Sequence, residues 1–514
     1  MSRNEPEASL AHDTRPVATT ESGAVVGIET GAVAAFKGIP YAAAPVGELR
    51  WRSPRPAAPW DGERDASAFG PIAPQPRAAI SGGQPQKMSE DCLTINIFTP
   101  RNVDGPLPVM VWIHGGAYYL GSSADPIFDG SGLAARGGVV VVTLNYRIGA
   151  LGYLDFTGFA TADDPFDSNL GQRDQQAALE WVQRNIAAFG GDPQRVIVFG
   201  ESAGGGAITA LMATPSAGGL FAGAIAESSP VGSVYSRERA HGFAERFLAL
   251  VGVRPRDIGR LRSMPVEILT AACDRLVQAN PLSSPGTIAV APVVDGDLIP
   301  SYPLDAFRDG TALPVPLVIG TNRNEAQLFK LMRSPILPTT ASGIEAMVEN
   351  LGIPAARAIP RAYRRYPSGT AALHISTDAA FRMPSIWAAA GHSAYAPTWM
   401  YEFDYVPPVL KALGFGAVHG SELPYVWGNR PANPLAAVSL GGPRRAAAIA
   451  DRIQARWLQF AHALDPNPSG LEPSWPRYDA HARSTLMINT TDRIVDDPGY
   501  QQRRVWGDDV IAFR

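Results

Sequence analysis

The 514-residue sequence predicts an α/β fold in which one large, mainly parallel sheet carries helices on both faces. Three observations lead there. Residues 108–113 (PVMVWI), 139–144 (VVVVTL) and 195–199 (RVIVF) are apolar runs with the uniform hydrophobicity of strands buried on both faces. Between the second and third, residues 172–189 place Ala178, Trp181, Val182, Ile186 and Phe189 on one helical face, and Gly190-Gly191 stops the helix. Strand and helix patterns then alternate along most of the chain, the signature of crossover connections between parallel strands.

The elements follow in order. Residues 1–18 are polar and predict a disordered tail, and the first twenty residues contain no apolar core of a secretion signal. Residues 25–29 and 33–37 predict a hairpin turning at Thr30-Gly31. The proline-rich stretch 50–60 excludes helix and predicts an extended loop held by its tryptophans. Residues 71–89, rich in Gly, Pro, Gln and Ser, predict a mobile loop, and 93–98 alternate as a strand. After the strand at 195–199, residues 221–228 and 316–320 predict further core strands, 399–405 another, and 445–464 a long helix. Residues 231–290 and 335–395 interrupt this rhythm as two mostly helical insertions, so that 19–514 reads as a single elaborated domain.

Composition narrows the functional classes. The chain is 46% apolar and 18% charged with a formal charge of -4, which offers no basic field for nucleic acid. No apolar run reaches the ~20 residues of a membrane span. Two cysteines, Cys92 and Cys273, make neither a metal site nor a disulfide framework, and a reducing cytoplasm is the expected setting.

Two motifs carry chemistry. Gly200-Glu-Ser-Ala-Gly204 fits G-x-S-x-G between a buried strand and a small-residue helix start. A sharp strand-to-helix turn pushes the Ser202 oxygen out of the backbone, and the free N–H groups of the helix start face a developing negative charge. The bland alternative is a glycine turn with a capping serine. The second motif is His114-Gly115-Gly116-Ala117, directly after the strand at 108–113. Glycines there let backbone N–H groups approach a substrate oxygen, with Gly116 and Ala117 as donors beside Ala203 and with Gly115 in support.

Together these motifs resemble the type-B carboxylesterase/lipase family of α/β-hydrolases. Gly38-Ile-Pro-Tyr-Ala, Glu90-Asp-Cys-Leu, Asn145-Tyr-Arg, Phe189-Gly-Gly-Asp-Pro, Phe199-Gly-Glu-Ser-Ala-Gly-Gly and Pro292-Val-Val-Asp-Gly stand in the family's order. The resemblance implies an α/β-hydrolase fold whose helical insertions cap the active site. It implies Glu325, in Gly320-Thr-Asn-Arg-Asn-Glu, as the orienting acid and His419, in Ala417-Val-His-Gly, as the base. It further implies Ser228 as a hydrogen-bond donor to the acid and Glu201 as part of the proton network. His114 reads instead as support for the glycine loop, and His241, His392 and His462 as helix residues.

The chain departs from the family pattern at three places. The loop before Cys92 has no cysteine to pair with it, Ala117 replaces a third glycine, and Glu227 and Ser229 flank Ser228. The implied reaction is acyl transfer through Ser202 to water on a small-molecule ester, with no metal or organic cofactor. Two rivals stand beside it: a non-catalytic binding module, and the same machinery turned to a carbamate, amide, lactone or xenobiotic ester.

Overall fold

The computed structural model describes residues 15–76, 86–101, 103, 105–351, 354–429 and 442–507. Among these residues the apolar runs hydrogen-bond to one another as predicted. In chain order the strands are β1 (Val17–Thr20), β2 (Gly23–Val26), β3 (Ile28–Thr30), β4 (Val33–Pro40), β5 (Glu63–Asp65), β6 (Thr94–Pro100) and β7 (Leu107–Ile113). There follow β8 (Val140–Leu144), β9 (Gly191–Glu201), β10 (Gly223–Glu227), β11 (Leu317–Asn322), β12 (Thr398–Phe403), β13 (Ser484–Ile488) and β14 (Arg493–Asp496). β1, β2 and β5 form a small sheet, and the other eleven form one sheet in the order β14-β13-β12-β11-β10-β9-β7-β8-β6-β4-β3. From β8 across to β13 all neighbours are parallel, whereas β6, β4 and β3 at one edge and β14 at the other pair antiparallel.

Alternate residues of the central strands feed two cores. Val109, Val111, Val196 and Val198 pack on one face with Ala178, Trp181, Val182 and Leu211. Met110, Trp112, Ile197 and Phe199 pack on the other with Ile453, Trp457 and Phe460 of the helix Pro443–Ala463. Period-two alternation explains why these strands read as unbroken apolar runs: neither face is wet.

Register decides where the site falls. Ile113 pairs with Gly200, Glu201 with Glu227, and Glu227 with Gly320. The ends of β7, β9, β10 and β11 therefore lie side by side, delivering the segments that begin at His114, Ser202, Ser228 and Arg323 to one sheet edge. Crevices at the carboxyl ends of parallel strands are where open α/β sheets bind ligands.

Several expectations are corrected. The hairpin is β3 with β4, turning at Gly31 with φ 61°, whereas Val25 and Val26 belong to the small sheet. Residues 1–14 of the expected tail lie outside the described residues, but Val17 and Ala18 pair in β1, so order begins before residue 19. Arg15 already donates to the Gly27 and Val26 carbonyls at 3.0 and 3.2 Å. Of the loop 71–89, residues 77–85 lie outside the described residues, and its two flanks are held by Ile72 N–H to Lys87 (2.9 Å) and Gly121 N–H to Gln75 (2.9 Å). The helix expected over 172–189 is α-helical for Leu170–Asn185 and tightens to a 3-10 turn over Ile186–Phe189. Cys92 and Cys273 are unpaired and buried. No helix among the described residues is long and apolar enough to cross a membrane.

Candidate active site

Ser202 sits at the end of β9, immediately before the helix Ala203–Met212, with φ 59° and ψ -124°. That region is strained for a residue with a side chain, and two backbone bonds hold it: Ser202 N–H to the Glu227 carbonyl and Gly206 N–H to the Ser202 carbonyl, both 2.9 Å. The neighbouring glycines are required sterically. A Cβ on Gly204 would lie 2.0 Å from the Ile113 oxygen, and one on Gly200 2.5 Å from the same atom. The turn therefore closes only with glycine on both sides.

The structure brings the residues at 202, 325 and 419 together across the sheet edge. His419 Nε2 lies 2.8 Å from Ser202 Oγ, and His419 Nδ1 lies 2.7 Å from Glu325 Oε2. Glu325 is fully buried, and its other oxygen accepts from Ser228 Oγ at 2.7 Å and from the Asn322 backbone N–H at 2.6 Å. Glu201 Oε1 stands 3.2 Å from His419 Nε2. Burial alone would lower the His419 pKa, but the Glu201 and Glu325 carboxylates outweigh it and raise it to about 9. Burial, eased by His419 and reinforced by Glu325, raises Glu201 to about 7.

The glycine loop passes directly against this chain of bonds. A Cβ on Gly115 would sit 3.0 Å from Ser202 Cβ, and one on Gly116, at φ 116°, would sit 2.1 Å from the Leu120 oxygen. Ala117 follows at φ 53°. Among the described residues, the N–H groups of Gly116, Ala117 and Ala203 donate to no protein acceptor. His114 supports the loop as expected: its Nδ1–H donates to the Gly115 carbonyl at 2.8 Å, and its ring stacks on Tyr146 with centroids 4.4 Å apart. Burial pushes His114 down to about 4, so it stays neutral in this role.

Ser202, Ala117 and Ala203 open onto a cavity of about 690 Å³ that includes its mouth. Residues of the first insertion (Gly232, Thr287, Ile288) and of the second (Leu337, Phe381, Pro384) form walls, and among the described residues no charged side chain lines it. Of the aromatics flanking the motifs, Tyr118 and Phe329 line this cavity, whereas Tyr425 packs on Phe403 and Tyr405 in the core.

A model of the carboxylesterase family matches residues 14–506. The chain belongs to the carboxylesterase family. It is 39% identical over 506 residues to the para-nitrobenzyl esterase of Bacillus subtilis (strain 168), covering 96% of this chain and 98% of that one. It is 33% identical over 526 residues to liver carboxylesterase 1 of Mus musculus, covering 92% and 89%. A solved structure of PNB esterase superposes with a TM-score of 0.86 at 37% identity, covering 96% of this chain and 99% of that one. The sheet is that of the α/β-hydrolase fold, and the protein is a carboxylic ester hydrolase.

Three buried residues of this carboxylesterase escaped the reading of its sequence. Asn322 ends β11 and bridges the segments bearing Glu325 and His419: its backbone N–H reaches Glu325, and its side-chain amide donates to the Val418 carbonyl (2.9 Å) and to Glu422. Glu422 follows His419 by three residues, and burial with neighbouring Glu201, Glu325 and Glu227 raises its pKa well above the carboxylate range. Glu227, noted in the sequence without a role, accepts from Trp457 Nε1 at 2.6 Å, and burial raises it to about 8. Beside it, Ser229 Oγ shares a 3.2 Å hydrogen bond with Thr209.

Proposed function

We propose that this carboxylesterase hydrolyses uncharged esters by two-step acyl transfer through Ser202. The unbroken run of short contacts from Ser202 Oγ through His419 to Glu325, at 2.8 and 2.7 Å, carries the reading. Ser202 attacks the ester carbonyl while His419 takes its proton, and Glu325 holds the imidazole by Nδ1. The unpartnered N–H groups of Gly116, Ala117 and Ala203 receive the oxyanion of the tetrahedral intermediate, each such donor being worth ~10²–10³ in turnover. His419 then protonates the leaving alcohol. Water attacks the acyl-enzyme with the same base, regenerating Ser202. Glu201 and Ser228 support the pair from behind, and none of these steps calls on a metal or organic cofactor.

The charge-free cavity sets the substrate class. An ionised acyl or alcohol group would lose its hydration there without gaining a partner. Apolar and aromatic esters suit its walls, in keeping with the para-nitrobenzyl ester in the name of the Bacillus subtilis relative. Two unpaired cysteines fit a cytoplasmic location.

Hydrolysis of p-nitrophenyl acetate by the wild type and Ser202→Ala tests the reading, together with mass spectrometry of the acid-quenched enzyme. The expected result is an acetyl adduct on Ser202 and loss of turnover by at least ~10³-fold in the variant. Undiminished hydrolysis by Ser202→Ala would overturn it.

A further inference from the structure

His419 is held in the plane of its ring by hydrogen bonds at Nδ1 and Nε2. Two in-plane bonds still leave the ring free to hinge out of its plane about the Nδ1 contact, a motion that carries Nε2 off Ser202 Oγ. Residues 416–420, which carry His419, are neither helix nor strand, and the ties from Asn322 to Val418 and from Asn324 to Ala417 hold their backbone and not the ring. What packs against the imidazole must therefore hold its out-of-plane orientation.

Two phenylalanines are packed there. The Phe381 ring lies 4.7 Å from the imidazole, centroid to centroid, with an interplanar angle of 34°, and the Phe329 ring lies at 5.4 Å and 44°. Phe381 reaches this place through an irregularity. The helix Gly369–Thr377 continues into Met383–His392 across a single π-helical turn, Asp378–Arg382. A π turn inserts one extra residue and shifts every later side chain around the helix axis, a feature that concentrates at functional sites.

This turn is locked from outside. Arg382 and Asp378 form a two-point ion pair at 2.7 Å per bond, Tyr363 donates to the same carboxylate, and Trp506 Nε1 donates to Tyr363 at 2.7 Å. Thr377 Oγ1 accepts from the Ala326 N–H at 3.1 Å, tying the turn to the residue after Glu325. Both phenylalanines also line the cavity into which Ser202 opens.

We propose that Phe381, presented by the π turn and paired with Phe329, is a positioning residue that fixes the tilt of His419 and makes turnover depend on how the substrate fills the cavity. The proposal rests on the acyl-transfer reading. A substrate that occupies the space beside Phe381 presses the ring onto the imidazole, and a small one leaves that work to the ring alone.

The test compares Phe381→Ala and Phe381→Leu on p-nitrophenyl acetate and on p-nitrophenyl hexanoate. Rates are normalised to active sites titrated with an organophosphate, so that misfolded enzyme is not counted. For Phe381→Ala on acetate, kcat is expected to fall by about 10²-fold, the scale of an ångström misplacement, while KM moves by far less. Phe381→Leu is expected to recover most of the loss, and the hexanoate to suffer less than the acetate. A kcat per titrated site that stays within about twofold of wild type, on a scale where tenfold is 1.4 kcal/mol, would overturn the proposal. So would equal losses on both esters with no recovery in Phe381→Leu. Ser202→Ala run in parallel separates the two readings, because its retention of activity would refute acyl transfer itself.

Discussion

Replacing Glu227 by Gln should make the fold less sensitive to alkaline pH. Glu227 is fully buried at the end of β10, with one hydrogen bond, from Trp457 Nε1, and with its second oxygen unpartnered among the described residues. Burial first, then the neighbouring Glu201 charge, raises its pKa from 4.5 to about 8 against the opposing pull of Trp457. Between those two values the folded chain holds a proton that the unfolded chain has released, so stability falls as pH rises. The penalty is absent below about pH 4.5 and complete above about pH 8. One pKa unit corresponds to 1.36 kcal/mol, and integrating the binding difference from pH 5 to pH 7.5 gives about 3 kcal/mol. Glutamine keeps the oxygen that Trp457 needs and carries no titrating group. Urea unfolding of both proteins at half-unit steps from pH 5 to 8.5 measures the difference, in which the contributions of other groups cancel to first order. The Glu227→Gln curve should gain about 3 kcal/mol on the wild type between pH 5 and pH 7.5. Parallel curves would refute the assignment of a buried neutral carboxyl at Glu227.

Three other outcomes follow from the same geometry. The base must be neutral to take a proton, so the carboxylates that raise His419 push the ascending limb of the kcat/KM profile toward alkaline pH; Glu201→Gln removes one of them and should move that limb to lower pH, and an unmoved limb refutes the coupling. Gly204→Ala places a methyl 2.0 Å from the Ile113 carbonyl oxygen and should cost about 3 kcal/mol or more in denaturant unfolding, since backbone on both sides of the turn must shift. Arg147 and Asp174 form a buried two-point pair at 2.7 and 2.8 Å, with the Arg147 N–H on the same carboxylate at 3.0 Å, so Asp174→Ala should cost about 3–5 kcal/mol by leaving a buried cation unpaired.

What could be read from the sequence was whatever local sterics and periodicity enforce. Gly200 and Gly204 announce the Ser202 turn because backbone oxygen occupies the space a side chain would need. The central strands announce themselves because both of their faces are covered. His419 and Glu325 needed the resemblance to a known family, since the contacts of His419 with Ser202 and Glu325 span 217 and 94 residues of chain, too far for local structure to explain. The remainder is tertiary. Strand β1 is half exposed, so Val17 and Ala18 looked like tail. The π turn that carries Phe381 lies within an insertion read only as mostly helical, and a change of helix type has no residue signature of its own there. Asn322 and Glu422 meet only because β11 and the loop of His419 end at the same sheet edge.

Four glutamates share that buried edge with the His419 imidazole. Glu325 accepts from three donors, Ser228, the Asn322 N–H and His419, so both oxygens are occupied and the carboxyl cannot turn away from Nδ1. Among the described residues Glu422 has one donor, the Asn322 amide, and Glu227 one, Trp457; burial carries both well above the carboxylate range. Glu201 faces His419 at 3.2 Å, and burial, opposed by that imidazole, raises it to about 7. Ionising all four beside one cation would place three uncompensated charges in a medium that cannot solvate them. Identical side chains thus divide into an anchored acceptor, two buried proton holders and one neighbour of the base, and donors at Glu325 and the His419 charge beside Glu201 make the division. Ser228→Ala takes one of three donors from Glu325, so it should loosen the carboxyl's grip on His419 and lower kcat more than it raises KM. An effect confined to KM would mean that Ser228 shapes the pocket and leaves the acid untouched.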